Sequence, residues 1–164
     1  MNTATGLIVG DRSIELVNHR RVPPGDRTWQ PPFDWSVVYE NEDWWGDILC
    51  HDPDPWFVQV KQNGVEVARI QLVGEFDGEL DHIHAPTMGS ERLTIHLFEV
   101  SVAARGRGIG TQALASLTEL HPNRRFVAHS EEADRFWQSL GWHRYEHPDG
   151  AAAQRPLFVQ PRGR

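Results

Sequence analysis

The segment Val100-Ser101-Val102-Ala103-Ala104-Arg105-Gly106-Arg107-Gly108-Ile109-Gly110-Thr111 joins an apolar run to a helical pattern. Glycines at alternate positions remove side chains there, so backbone N–H groups can approach a ligand. The first turn of the following helix adds unpaired N–H groups and the positive end of its dipole. Together these features describe an anion site sized for phosphate, with Arg105 and Arg107 adding charge. A tight turn packed against a neighbour is the other reading of the same glycines. The segment is not a Walker loop, since no lysine is present. It is not a dinucleotide fingerprint either, since it lies late in the chain and reads G-x-G-x-G.

The flanking sequence predicts a sheet with helices. Upstream, RLTIHLFEVSV (92–102) is apolar enough for a central strand. Before it, WFVQVK and VEVARIQLVGEF flank Gln62-Asn63-Gly64, a strong hairpin signal because Asn and Gly tolerate positive φ. A polar loop fills Asp77 to about Ser90. Downstream, Ile109, Ala113, Leu117 and Leu120 share one face of a helix that His121-Pro122 ends. RFVAH (125–129) reads as the next strand. Ser130 then serves as an N-cap with Glu131 and Glu132 in the first turn, and Ala133, Phe136, Trp137 and Leu140 form a buried stripe closed by Gly141. WHRYEH (142–147) and PLFVQ (156–160) complete the strands. Nearer the start, SIELVNH (13–19) reads as a first strand and 37–50 as a short helix, separated by a segment where Pro23, Pro24, Pro31 and Pro32 forbid a continuous helix. The fold class is α/β (α+β), a mixed central sheet flanked by helices in one domain over 1–164, with 1–5 and 161–164 as flexible ends.

Composition narrows the function. At 164 residues the chain suits one domain. No apolar run approaches the roughly 20 residues of a membrane span, and the start lacks a basic region before an apolar one. The single cysteine, Cys50, excludes an internal disulfide and suits a reducing cytoplasm. The net charge of −7 argues against nucleic acid and anionic lipid as partners. It is unevenly spread: residues 1–100 carry 17 acids and 7 bases, residues 101–164 carry 6 acids and 9 bases. A cationic substrate meeting an anionic one would suit that split, and so would chance. Trp29, Trp35, Trp44, Trp45 and Trp56 either line a pocket or fill the core of an irregular segment. Asp34, Glu40, Glu42, Asp43 and Asp47 either attract a cation or form a solvated face. Asp81-His82-Ile83-His84 falls short of the three or four converging ligands that zinc needs, so it reads as a surface loop and no metal is expected. Cys50 has no nucleophile pattern around it and reads as buried filler.

Arg105–Gly110 reads R-G-R-G-I-G, an instance of [Q/R]-x-x-G-x-[G/A], and Ala133–Trp142 reads A-D-R-F-W-Q-S-L-G-W. This pairing resembles the GNAT acetyltransferase superfamily, which places A-x-x-F-Y-x-x-x-G-F after such a loop. The likeness is specific over about 93–147 and general over 56–160; the first 55 residues match nothing particular. It implies two splayed parallel strands, here 92–102 and 125–129, with acetyl-CoA between them as co-substrate. Backbone groups of Val100 and Val102 would pair with the pantetheine amides. The amides of Arg105, Gly106, Arg107, Gly108, Ile109, Gly110 and Thr111 would hold the pyrophosphate. Ser130 would stand where an asparagine often meets the pantetheine arm, and Phe136 would flank it.

Amide formation from a thioester needs a base for the amine and stabilisation of the oxyanion, and the leaving thiolate can need a proton. The resemblance implies the Val100 N–H for the oxyanion. For the base, His96 stands where arylalkylamine-type members place a histidine, and imidazole is the side chain suited to proton uptake near neutral pH. Thr94 stands where histone-type members place a glutamate. A histidine merely packed on a sheet face is the competing reading. Glu99 is the alternative base, provided a bulge brings it to the same face as His96. The usual tyrosine acid is replaced by Trp137, whose indole does not protonate a thiolate; water, Tyr145 or no acid are the alternatives. The expected activity is direct acetyl transfer to a primary amine of a small molecule or peptide, by a chain acting alone or as a homodimer. The competing readings are a non-catalytic acyl-CoA-binding regulatory module and, third, a toxin that acetylates aminoacyl-tRNA.

Overall fold

A computed structural model describes residues 13–46, 54–74 and 80–163. The elements in chain order are β1 Ile14–Arg20, α1 Asp43–Gly46, β2 Trp56–Gln62, β3 Val65–Val73, β4 Arg92–Val100, a 3-10 turn Val102–Ala104, α2 Ile109–Leu120, β5 Arg125–His129, α3 Asp134–Ser139, β6 His143–Tyr145 and β7 Leu157–Val159. The strands form one seven-stranded sheet in the order β1-β2-β3-β4-β5-β7-β6, antiparallel except for β4 beside β5. Asn63 (φ +51°) and Gly64 (φ +76°) make the β2–β3 turn left-handed, as the Asn-Gly pair predicts. Cys50, Asp47 and residues 1–5 of the expected flexible ends lie outside the described residues, as does Arg164.

One face of the sheet, here the back, carries the main core. Val58, Val60, Ile70, Leu72, Leu93, Ile95, Phe126 and Phe158 bury against Ile109, Ala113, Leu114 and Leu117 of α2 and Trp137 of α3. Leu120 does not join this stripe: it is 52% exposed at the last residue of the helix.

Two bulges decide what reaches the front. Across β2 and β3, Val60 pairs with Ala68 but Lys61 with Glu66, so Val67 is an extra residue in β3. Glu66 and Arg69 therefore both project forward, although their spacing in an unbroken strand would separate them. They form a buried pair at 2.6 Å, each about 3% exposed. Across β3 and β4, Gln71 pairs with Leu97 but Leu72 with Ile95, so His96 is the extra residue in β4. Beyond that point Phe98 and Val100 pack toward the back core, and Leu97 toward a separate front cluster.

The irregular, proline-rich stretch becomes a strap over this front face. Phe33 and Trp45 bury on Phe57, with Trp29, Trp44 and Leu97 partly buried around them. The tryptophans divide accordingly: Trp45 is core, Trp29 and Trp44 are its margin, and Trp35 is half exposed. Trp56 lies instead under the Arg20 guanidinium. The Arg69 guanidinium stands 4.5 Å from the Phe33 ring, 4.9 Å from Trp35 and 4.2 Å from Tyr39. Glu66 accepts from Tyr39 Oη, Gln59 Nε2 and the Asp34 amide, while Arg69 donates to the Asp34 carbonyl. Burial and the Glu66 charge hold the Tyr39 phenol well above its usual pKa, so it remains a donor.

Removing one partner of a buried pair strands the other. Arg69→Met should cost about 3–5 kcal/mol of stability in urea unfolding. A loss under about 1 kcal/mol would mean the strap is held by its aromatic contacts alone.

Candidate active site

β4 and β5 pair only as far as Ile95 beside Ala128. β4 continues to Val100 while β5 ends at His129, so an opening separates the two strands. The β3 register fixes what faces it. Ser101 N–H donates to the Val67 carbonyl at 2.8 Å, and Glu99 opposes Arg69. Alternate residues turn their peptide groups the other way. The backbones of Phe98 and Val100 therefore point away from β3, toward the opening. Val102 does not extend this row as expected: its N–H donates to the Val38 carbonyl of the strap at 3.0 Å.

α2 begins beside this stretch of β4: a Cβ on Gly110 would lie 3.6 Å from the Phe98 ring. Its first ladder bond runs from Gln112 N–H to the Gly108 carbonyl, and no side chain caps it. The amides of Ile109, Gly110 and Thr111 thus have no acceptor within the helix. The glycines serve different ends. Gly106 (φ +71°) and Gly108 (φ +74°) hold left-handed backbone that sends the chain into the helix. Gly110 instead makes room, since a Cβ there would lie 3.0 Å from Phe136 Cε2. Phe136 also meets Phe98, their ring centroids 5.8 Å apart, so α3, β4 and the start of α2 converge on one aromatic contact. The arginines differ as well. Both are exposed, but Arg105 reaches the strap, donating to Glu40 at 2.6 Å and approaching Glu99 at 3.6 Å, whereas Arg107 approaches the Ala104 carbonyl at 3.5 Å.

Several expected site residues are occupied otherwise. Glu99 is buried and faces the strap, accepting from the Glu40 and Asn41 amides, Asn41 Nδ2 and Trp45 Nε1. Ser130 is buried and its Oγ accepts from the Ala133 amide, closing a turn in which Glu132 has φ +59°. That turn delays the helix: α3 starts at Asp134, so Ser130 is not its N-cap and Glu131 and Glu132 precede it. Trp137 is core, 4.8 Å from Trp142. Tyr145 lies on edge strand β6, two strands beyond β5. A cleft of about 840 Å³ adjoins Ser130, Glu132, Phe136, Arg144 and Arg155.

His96 is exposed at its bulge. Sequence reasoning missed its neighbour. The parallel register ends at Ile95 and Ala128, so His96 and His129 are the next residues on the two diverging strands. His129 lies on the front face with Val127, two positions earlier. Like His96, it is exposed. Desolvation by the atoms around it, then nearby His82 and His96, hold its pKa below the usual histidine range. The Asp81–His84 loop is not simply surface: His82 is 5% exposed, bonds the Arg155 carbonyl at 2.9 Å and packs 5.4 Å from the His129 ring. Among the described residues, no cluster could hold a metal ion, and no helix is long and apolar enough to cross a membrane.

Gly110→Ala should push Phe136 aside and cost about 1–3 kcal/mol, an overpacking penalty. Phe136→Leu in the same chain should recover most of that loss in thermal unfolding; additive losses would contradict this contact.

The fold has solved counterparts. A GNAT family acetyltransferase from Elizabethkingia anophelis, whose structure holds acetyl-CoA, is 11% identical, with 90% of this chain and 98% of that one covered at a TM-score of 0.54. An acetyltransferase from Thermus thermophilus is 19% identical, with 70% and 68% covered and a TM-score of 0.51. A bacterial toxin is 12% identical, with 90% of each chain covered and a TM-score of 0.54. At these identities the likeness is one of fold. No curated protein matches the sequence. The family model described as Acetyltransferase (GNAT) family matches residues 15–142, and this chain belongs to that family.

Proposed function

We propose that the protein transfers an acetyl group from acetyl-CoA to a primary amine of a small molecule or peptide, by direct attack within a ternary complex. The observation that carries this reading is the lapse of β4–β5 pairing after Ile95, next to the uncapped start of α2. The pantetheine arm would take the place of a missing strand beside Phe98 and Val100, pairing its amides with theirs. Phe136 would flank it. The diphosphate would rest on the amides from Gly108 to Thr111, with Arg107 beside it and the Arg105–Gly106 turn beneath.

His96 is proposed as the base that makes the amine neutral. The oxyanion would lie nearer the bulge, within reach of the Phe98 N–H, because Val100 stands four strand residues, about 13 Å, beyond His96. Glu99 then serves as an anchor of the strap, because its oxygens already accept four hydrogen bonds. Amines would approach from the front, between the strap and the His82 loop. A second reading, an acyl-CoA-binding module without turnover, is favoured by Trp137: a buried indole stands in place of an acid.

Calorimetry with acetyl-CoA, followed by thiol release over a panel of primary amines, separates the two. The enzyme reading predicts binding and release, with His96→Ala losing about 10²–10⁴-fold in turnover while acetyl-CoA still binds. Binding without release for any amine would favour the module. Undiminished release by His96→Ala would remove His96 from the mechanism. Gly108→Asp should abolish acetyl-CoA binding, with Gly108→Asn, which carries the same strain at φ +74° without the charge, losing much less; retained affinity in Gly108→Asp would displace the phosphate site from this loop.

A further inference from the structure

Acetylation of an amine removes two protons from one nitrogen. The acceptor arrives as an ammonium ion and must shed one proton to attack. The C–N bond then forms, leaving positive charge on nitrogen and an oxyanion on the former carbonyl. The second proton leaves the nitrogen, the C–S bond breaks, and the thiolate ends as a thiol. Thus one proton goes to solvent and one to sulfur. A lone exposed His96 fits the first transfer. Trp137 does not fit the second, being a buried indole.

We propose that His129 is a second catalytic imidazole, facing His96 across the mouth of the parted strands, that takes the proton shed as the C–N bond forms and returns it to the departing thiolate. This rests on the acetyl-transfer reading above. The placement follows from the register: both histidines come one residue beyond the last β4–β5 pair. The bulge turns His96 forward with Leu97, and alternation turns His129 forward with Val127. His129 is pinned at its end of the sheet through its backbone pairing with Leu157.

Its ring has a built support. His82 is buried, and its Nε2 meets the Arg155 carbonyl at 2.9 Å. A carbonyl only accepts, so Nε2 carries the hydrogen and the ring orientation is fixed. That ring's centroid lies 5.4 Å from that of His129 and 5.5 Å from that of His147. His82 is therefore a positioning residue. The charged and titratable groups bearing on His129 are His82 from the loop and His96 from β4; His147, with Asp149 at 3.9 Å, stands behind His82. Desolvation and these two imidazoles disfavour its charged form, which makes its imidazolium a stronger acid toward sulfur. Both rings reach solvent; the packing of His82 against His129 sets that ring apart as the donor to the leaving group.

The test compares wild type, His129→Asn, His129→Ala and His82→Phe. It measures acetyl-CoA binding by calorimetry and thiol release over the primary-amine panel, from pH 5 to 9, with and without added imidazole. His129→Asn should bind acetyl-CoA as wild type does and lose at least about 10²-fold in kcat, with KM for the amine little changed. Imidazole should restore part of the turnover of His129→Ala and leave wild type unchanged. His82→Phe should lose less and shift the acid limb of the kcat profile. If His129→Asn turns over within about threefold of wild type, or imidazole fails to rescue His129→Ala although that variant binds acetyl-CoA normally, the role is overturned. Wild type that binds acetyl-CoA but releases no thiol with any amine overturns the acetyl-transfer reading itself, and the His129 role with it.

Discussion

The extra residue in β4 sets the geometry on which the rest depends. Inserting His96 between Ile95 and Leu97 changes which side chains face which layer from that point on. Before it, Leu93 and Ile95 bind the strand to the back core; after it, Phe98 and Val100 do so. The bulge also bends the strand locally, and it coincides with the end of pairing to β5. One irregularity therefore brings together an exposed imidazole and two peptide groups facing an opening. Without it, Leu97 would lie on the back and the front cluster with Phe33 and Phe57 would lose a member.

The strap answers a different constraint. A sheet with helices on only its back would leave Phe57, Gln59, Glu66, Arg69 and Leu97 on an uncovered front. Phe33, Tyr39 and Trp45 cover them, and the bulge at Val67 supplies the ion pair that fastens the cover. Arg69 is satisfied by a carboxylate, a carbonyl and several ring faces, which together offset its desolvation. Glu99 extends the same system to the edge of the opening and, through Arg105 and Glu40, to the loop before α2. The strap is thus tied mechanically to the loop proposed to hold phosphate. Among the described acids of the first 100 residues, Glu40, Glu66 and Glu99 make these ties.

Much of this was legible in the sequence because local rules dominate there. Asn63-Gly64 names its turn, RFVAH ends where β5 ends, and the glycine-rich loop opens α2 at Ile109. Ser130 misled for a physical reason: its hydroxyl does cap an amide, but that of Ala133 in a turn rather than a helix. The bulges were not legible, because a one-residue register shift depends on the partner strand and leaves no mark in a single strand's pattern. For that reason the facing of Glu99 stayed open, and His129 gave no sign of meeting His96. The strap was illegible because prolines remove periodicity, and only tertiary contacts order it.

The central claim is that a thioester of coenzyme A lies as a strand between β4 and β5, with its diphosphate at the start of α2. Amide NMR of the isotopically labelled protein during titration with acetyl-CoA tests it most directly. Large shift changes and slowed exchange are predicted at Phe98, Val100 and the Gly108–Thr111 amides, with the strap amides near Glu99 little altered. Saturable binding that leaves those amides unmoved, or moves only residues far from the opening, would contradict it.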